Sequence, residues 1–182
     1  MYSIDAMTVH LRRILLNLVF YIAIWFWIGQ VNFFMGWLSV SIPVFWVFVF
    51  FPVMTLEWEE GLILTAISGL FFESRYVEFR GMLIPLFVGL YLYLYHRKMQ
   101  MHDTSYRPLL WLASLSHLIL IVAMSAIVLI GGGHTLGYLT LRSLQDWLTG
   151  QLALFLLFPL LWFGFHLING STRPRNAYGD AV

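Results

Sequence analysis

The side chains best equipped for chemistry in this 182-residue sequence are few and stand in apolar surroundings. His117 lies well inside an apolar run that opens after Pro108. A histidine there can relay a proton, ligate haem or bond to a neighbouring helix. The last of these is a modest structural role, worth about 0.6 kcal/mol in membrane helices. His166 and His96 lie near the ends of other apolar runs. His117 and His166 fall at different depths, which argues against a haem clamped between them. Glu57, Glu59 and Glu60 form a compact acidic cluster. Hydrolytic or cation chemistry would need a facing ligand set, and none is visible. An acidic helix start, stabilised by the helix dipole, explains the cluster equally, and partner binding is the remaining reading.

Other motifs fail on inspection. His96 and His102 lack the i, i+4 spacing of a zinc helix, so no metal or cofactor is expected. Gly131-Gly132-Gly133-His134 lacks the Gly-Lys-Ser/Thr ending of a phosphate loop. Ser125 and the other serines of the apolar runs have no Gly-x-Ser-x-Gly elbow. The chain reads as a non-enzyme. The segment from Glu73 to Gly81 is the richest in charge, with Glu73, Arg75, Glu78 and Arg80 in one short connection. Exposed, it is an ordinary solvated turn with ion pairs of little worth; tucked between helices, it fixes a hairpin or faces a partner. Gln151 sits on a late apolar run, where its amide can bond across helices, and Asp146 stands just before it.

The elements that must position these residues follow from composition. The chain is 60% hydrophobic, 18% aromatic and 10% charged, with mean hydropathy +0.81, net charge +1 and no cysteine. Soluble domains carry about 25% charged residues, so a soluble domain, a disordered chain and a nucleic-acid binder are excluded. Absence of cysteine removes disulfides, thiol catalysis and iron–sulfur ligation. An all-α polytopic membrane protein remains, since lipid admits only helices or closed barrels and runs such as 45–51 are apolar on every side. No charge occurs over residues 14–56, room for two spans of about 20 residues each. Six transmembrane helices are expected near 14–28, 34–55, 58–72, 81–96, 108–130 and 144–167, in one membrane domain over 1–170. A turn is placed at Gly29–Asn32, and Pro43 and Pro52 are expected to kink or end the second helix. Residues 171–182 read as a polar cytoplasmic tail. Trp25, Trp27, Trp37, Trp58, Trp111 and Trp147 gather towards span ends, as an aromatic belt requires.

With six spans, Arg12, Arg13, Arg97, Lys98, Arg107, Arg173 and Arg175 fall on one side, against Arg75, Arg80 and Arg142 on the other. The positive-inside rule then puts both termini in the cytoplasm. No small-residue cleavage site follows the first apolar run, which reads as a retained span.

At the charged hairpin the sequence resembles a known family. Glu60-Gly61-Leu62, Gly69-Leu70-Phe71-Phe72-Glu73 and Phe79-Arg80-Gly81, followed by a long apolar helix, are similar to the centre of the MreD rod shape-determining membrane proteins. Leu148-Thr149-Gly150-Gln151-Leu152 through Pro159-Leu160 resembles that family's last span. Glu73 stands where many members have Asp, and Gln151 where many have Asn.

The resemblance implies a non-catalytic scaffold of cell-wall elongation in the bacterial inner membrane. It implies as partners an MreC-like single-span protein and, through it, a SEDS glycosyltransferase with its penicillin-binding transpeptidase and the MreB cytoskeleton. It also implies a fold like the substrate-binding S components of energy-coupling-factor transporters. Such a subunit is the competing reading, with a pocket lined by Glu73, Arg75, Arg80, His117 and Gln151. S components dock through small residues spaced along their first helix, whereas residues 14–28 hold only Ala23 among bulky side chains.

Overall fold

The computed structural model describes residues 4–35, 42–75, 81–101, 105–131 and 136–170. They form six helices: α1 (Ile4–Met35), α2 (Phe45–Thr55), α3 (Trp58–Arg75), α4 (Leu83–Gln100), α5 (Tyr106–Ile130) and α6 (Leu136–Gly170). No strand occurs among the described residues. Three stretches, Leu11–Met35, Tyr106–Ile130 and Leu136–Ile168, are long and apolar enough to cross a membrane.

The helices alternate in direction. At one end, Arg13 of α1, Glu57 after α2, Lys98 of α4, Leu109 of α5 and Phe165 of α6 surround one small cavity. At the other end, Asn32 bonds Ile42, Glu73 bonds Leu83, and Ser125 of α5 bonds Ser143 of α6. The start of α1 and the end of α6 therefore share an end.

At the centre stands α2, the shortest helix, which touches all five others. All of its residues except Phe45 are buried, with Trp46, Phe50 and Phe51 fully so. Its sequence is apolar all round, which suits a helix that never meets solvent. Its rings radiate into its neighbours. Phe48 meets Tyr21 of α1 and Phe72 of α3 with centroids 4.8 and 4.9 Å apart, and Phe50 meets Phe158 of α6 at 6.1 Å.

Pro52 lies inside α2 and has no N–H to give to the carbonyl of Phe48, one turn back. The Tyr21 hydroxyl donates to that carbonyl instead, at 3.0 Å. The defect is repaired from a different helix. The Thr55 hydroxyl lies 2.8 Å from the carbonyl of Phe51 and 2.7 Å from the Oδ1 of Asn17, a fully buried residue of α1, and shares its one proton between these two acceptors.

The α3–α4 hairpin packs closely because its interface residues are small. A Cβ on Gly61 would collide with the ring and hydroxyl of Tyr91, and one on Gly69 would come within 3.0 Å of the Ile84 Cα. Thr65, also buried, lies between the two glycines at four-residue spacing, and such spacing lets helix backbones approach. The Tyr91 hydroxyl donates to the Trp58 carbonyl at 3.1 Å.

Several boundaries differ from the sequence-based expectation. Residues Gly29–Asn32 are helical, not a turn, so α1 continues to Met35. Asn32 then uses both ends of its amide on Ile42, accepting from its N–H at 2.7 Å and donating to its carbonyl at 3.2 Å. The second helix begins at Phe45 rather than near residue 34, because Pro43 disfavours helix in the residue before it and residues 42–44 are non-helical. The sixth helix starts at Leu136, eight positions before the expected 144, so most of the expected outer loop is helical. The tail 171–182 lies outside the described residues.

The repair of the Pro52 defect has a double-mutant signature. Tyr21→Phe strands a buried carbonyl and should cost about 1–3 kcal/mol, seen as a lower thermal midpoint in detergent. In a Pro52→Ala background, where residue 52 supplies its own N–H, the same change should cost markedly less. Equal costs in the two backgrounds would mean that the tyrosine does not serve this carbonyl.

Candidate functional site

The residues nominated from sequence separate into three groups. Glu57, Glu59 and Glu60 stand at the end shared by the helix termini. Glu57 precedes α3, mostly exposed, and lies 3.7 Å from Arg13. Glu59 and Glu60 occupy the first turn of α3, next to the positive end of its dipole.

Glu73, Arg75 and Gly81 belong to the opposite end. Glu73 accepts from the Leu83 N–H at 3.3 Å, tying the last turn of α3 to the first of α4. Arg75 closes α3. Gly81 has φ +75°, a left-handed conformation that disfavours any residue with a Cβ. Arg80 lies outside the described residues.

His117 and Gln151 form the third group, in the α5–α6 interface. His117 is 2% exposed. Ser114 donates to Gln151 Oε1 at 3.0 Å, and Gln151 Nε2 lies 3.3 Å from His117 Nδ1. With the amide oxygen accepting from serine, its nitrogen donates to Nδ1, which assigns the ring proton of neutral His117 to Nε2. The imidazole also lies against Gly150, where a Cβ would collide with it. Glycine at 150 is thus what lets a histidine fit between two closely packed helices.

Reasoning from sequence missed the polar contacts that serve α2. Lys98, noted there only as a topological charge, donates to the carbonyls of Val53 at 2.6 Å and Met54 at 3.3 Å. These are among the last carbonyls of a helix, which lack partners within it and carry the negative end of its dipole. Asn17 was a visible signal, an amide in an uncharged stretch, but its partner Thr55 is 38 positions away.

Two cavities flank these groups. One of about 260 Å³ holds Arg13, Thr55, Glu57 and Lys98. The other, about 540 Å³ and half enclosed, lies between α5, α6 and the start of α2, with His117 and Trp46 in its wall. Among the described residues no three His, Cys, Asp or Glu side chains gather closely enough to hold a metal ion. The nominated residues are not brought together into one site. Most of their contacts, and those of the residues missed, join one helix to another.

Burial pushes the Lys98 ammonium down from 10.5 to about 8. Lys98 lies two residues beyond the span expected to end at 96. Between pH 8 and 10.5 the folded chain binds fewer protons here than the unfolded chain, so this group's contribution to stability rises with pH across that window. The thermal midpoint of the solubilised protein, minus that of Lys98→Met, should therefore increase from pH 8 to pH 10. A flat difference would show that Lys98 titrates as an ordinary lysine.

No family model matches the chain, and neither the curated proteins nor the solved structures contain a significant match.

Proposed function

We propose that this chain is a non-catalytic scaffold of the bacterial cell-wall elongation machinery: an MreD-like protein of the inner membrane that crosses it six times, with both termini in the cytoplasm. It positions an MreC-like single-span protein and a complex of SEDS glycosyltransferase with penicillin-binding transpeptidase. The observation that carries this reading is the division of labour in the bundle. The polar side chains Asn17, Tyr21, Thr55, Glu73 and Lys98 fasten one segment to another, while α1 offers a continuous apolar face outward. Leu15, Val19, Ile22, Phe26 and Phe33 are all more than half exposed and recur at helical spacing. α1 packs mainly on α2 and α6, so this stripe is open to lipid or to the single helix of a partner.

The alternating helix directions support an even number of crossings. Arg13, Lys98 and Glu57 gather where α1 begins and α6 ends. That end is the one with more basic residues, which supports its cytoplasmic placement.

The substrate-binding subunit of a transporter is the second reading, favoured by the half-enclosed cavity. Of the five residues nominated for its pocket, His117 lines this cavity, whereas Glu73 is bonded to the hairpin backbone.

Native mass spectrometry of tagged protein, isolated gently from its own membranes, separates the two. Arrival with a single-span periplasmic coiled-coil protein or with wall synthases is the expected result. Arrival with a bound solute and an ATPase module would overturn the scaffold and select the transporter. Within the scaffold reading, Arg80→Glu should lower partner recovery while leaving the membrane level of the protein unchanged. Full recovery at equal expression would remove the Glu73–Gly81 hairpin from the interface.

A further inference from the structure

We infer that the bundle thins the membrane on one side only. Along the α3–α4 flank it draws in the leaflet at the far end, opposite the start of α1 and the end of α6, by about 9 Å, six residues of helix. Around α1, α5 and α6 that leaflet keeps its ordinary depth. This rests on the six-span reading, and not on the choice of partners.

The outer helices ring α2 in the order α1, α6, α5, α4, α3. Their near ends are level, since Arg13, Glu57, Lys98, Leu109 and Phe165 surround a single cavity. Their far ends are not. Trp25 of α1 meets Phe71 of α3 edge-on, with centroids 5.6 Å apart. Beyond that contact α3 runs four residues, to Arg75, and α1 runs ten, to Met35. The difference of six residues is about 9 Å of rise. From the shared cavity, α4 extends 15 residues between Lys98 and Leu83, and α5 extends 21 between Leu109 and Ile130. That is again six residues and about 9 Å. Two pairs of helices give the same step.

Outward side chains follow the step. The exposed face of α3 reads Glu59, Ile63, Ile67, Leu70 and Ser74, polar at both ends and only about 22 Å long. The hydrocarbon of a bilayer is about 30 Å thick. A uniform layer of that depth would submerge Ser74 and the Glu73 carboxylate. One thin enough to spare them would leave in water Phe33 of α1, 78% exposed, and Ile130 of α5, 86% exposed. Tilting the whole bundle levels the far ends only by offsetting the near ends, so it exchanges one mismatch for another. Lipid is the component that yields, because a bilayer thins beside a short span at modest cost. Shorter acyl chains are the ones that fit this flank.

The chain has no cysteine, so single cysteines can carry nitroxide labels at matched heights. Gly29 and Ser74 lie four and three residues beyond the Trp25–Phe71 contact, while Leu15 and Glu59 each lie two residues beyond the Arg13–Glu57 pair. All four are exposed, so their replacement disturbs no packing. The full chain is placed in phosphatidylcholine bilayers with eighteen-carbon chains, and label depth is read by power-saturation EPR with oxygen and a nickel chelate. Gly29→Cys should place its label roughly 7 Å deeper than Ser74→Cys, whereas Leu15→Cys and Glu59→Cys should match. Equal depths at 29 and 74 would overturn the inference. So would a difference of similar size at 15 and 59, which a tilted bundle in a flat membrane produces. A membrane-impermeant maleimide, applied to spheroplasts and to inverted vesicles, should reach Glu59→Cys and Ser74→Cys from opposite sides. Reaction of both from one side would overturn the six-span reading and the thinning together; opposite sides with equal depths at 29 and 74 would overturn the thinning alone.

Discussion

The structure depends on keeping a short, proline-containing helix in the middle of an apolar bundle. A buried carbonyl without a partner costs about 1–3 kcal/mol, and in lipid there is no water to relieve it. Within α2, Pro52 removes the donor for the Phe48 carbonyl, and the helix end leaves Val53 and Met54 without intrahelical donors. Each gap is closed from another element: Tyr21 of α1 for the first, Lys98 of α4 for the others. Since those residues come from sequence positions far on either side of α2, the central helix is completed only when α1 and α4 have docked. Non-directional apolar packing assembles such a bundle; these bonds fix which helix sits where.

Around that centre, close approach is obtained differently in the two hairpins. The α3–α4 pair uses glycines at 61 and 69 to bring Tyr91 and the Ile84 backbone against α3. In the α5–α6 pair, one glycine at 150 opens space for an imidazole, which is then held by Gln151 and Ser114. One hairpin is shaped by removing side chains, the other by fitting a polar one. His117, which from sequence alone admitted proton relay or haem ligation, is bonded between helices at Nδ1, while its Nε2 is buried with no partner among the described residues.

Much of this was legible in the sequence because it follows from composition. The all-helical class, the number of helices and the approximate centres of helices 3, 4 and 5 follow from where apolar runs are interrupted by charge or glycine. Boundaries within the uncharged stretch 14–56 were not legible, since nothing in its hydropathy distinguishes the end of α1 from the start of α2. Gly29 and Asn32 carry turn character locally, yet the helix runs through both, and Asn32 serves a residue ten positions on. Likewise the roles of Tyr21 and Lys98 exist only through tertiary contact. A proline in a helix announces an orphan carbonyl but not which distant hydroxyl will answer it. The acidic cluster and charged hairpin were conspicuous in sequence for the same reason that they are peripheral in space: charges collect at the ends of the bundle.

The length of α2 also explains where the empty space lies. At 1.5 Å per residue its 11 residues rise only about 16 Å, whereas the 18 residues of α3 and of α4 rise about 27 Å. A short core inside longer walls leaves a recess at each of its ends. Both cavities are found there: the larger one touches Pro43, Phe45 and Trp46 at the start of α2, the smaller one Met54, Thr55 and Leu56 at its end. Each recess is rimmed by charge, Arg142 with Asp146 at one and Arg13, Glu57 and Lys98 at the other. Lengthening α2 to match its neighbours would fill both recesses with side chains and remove the carbonyl ends that Lys98 serves. The pockets are therefore a direct consequence of the same short helix that organises the bundle, and any ligand or lipid that enters them contacts its termini.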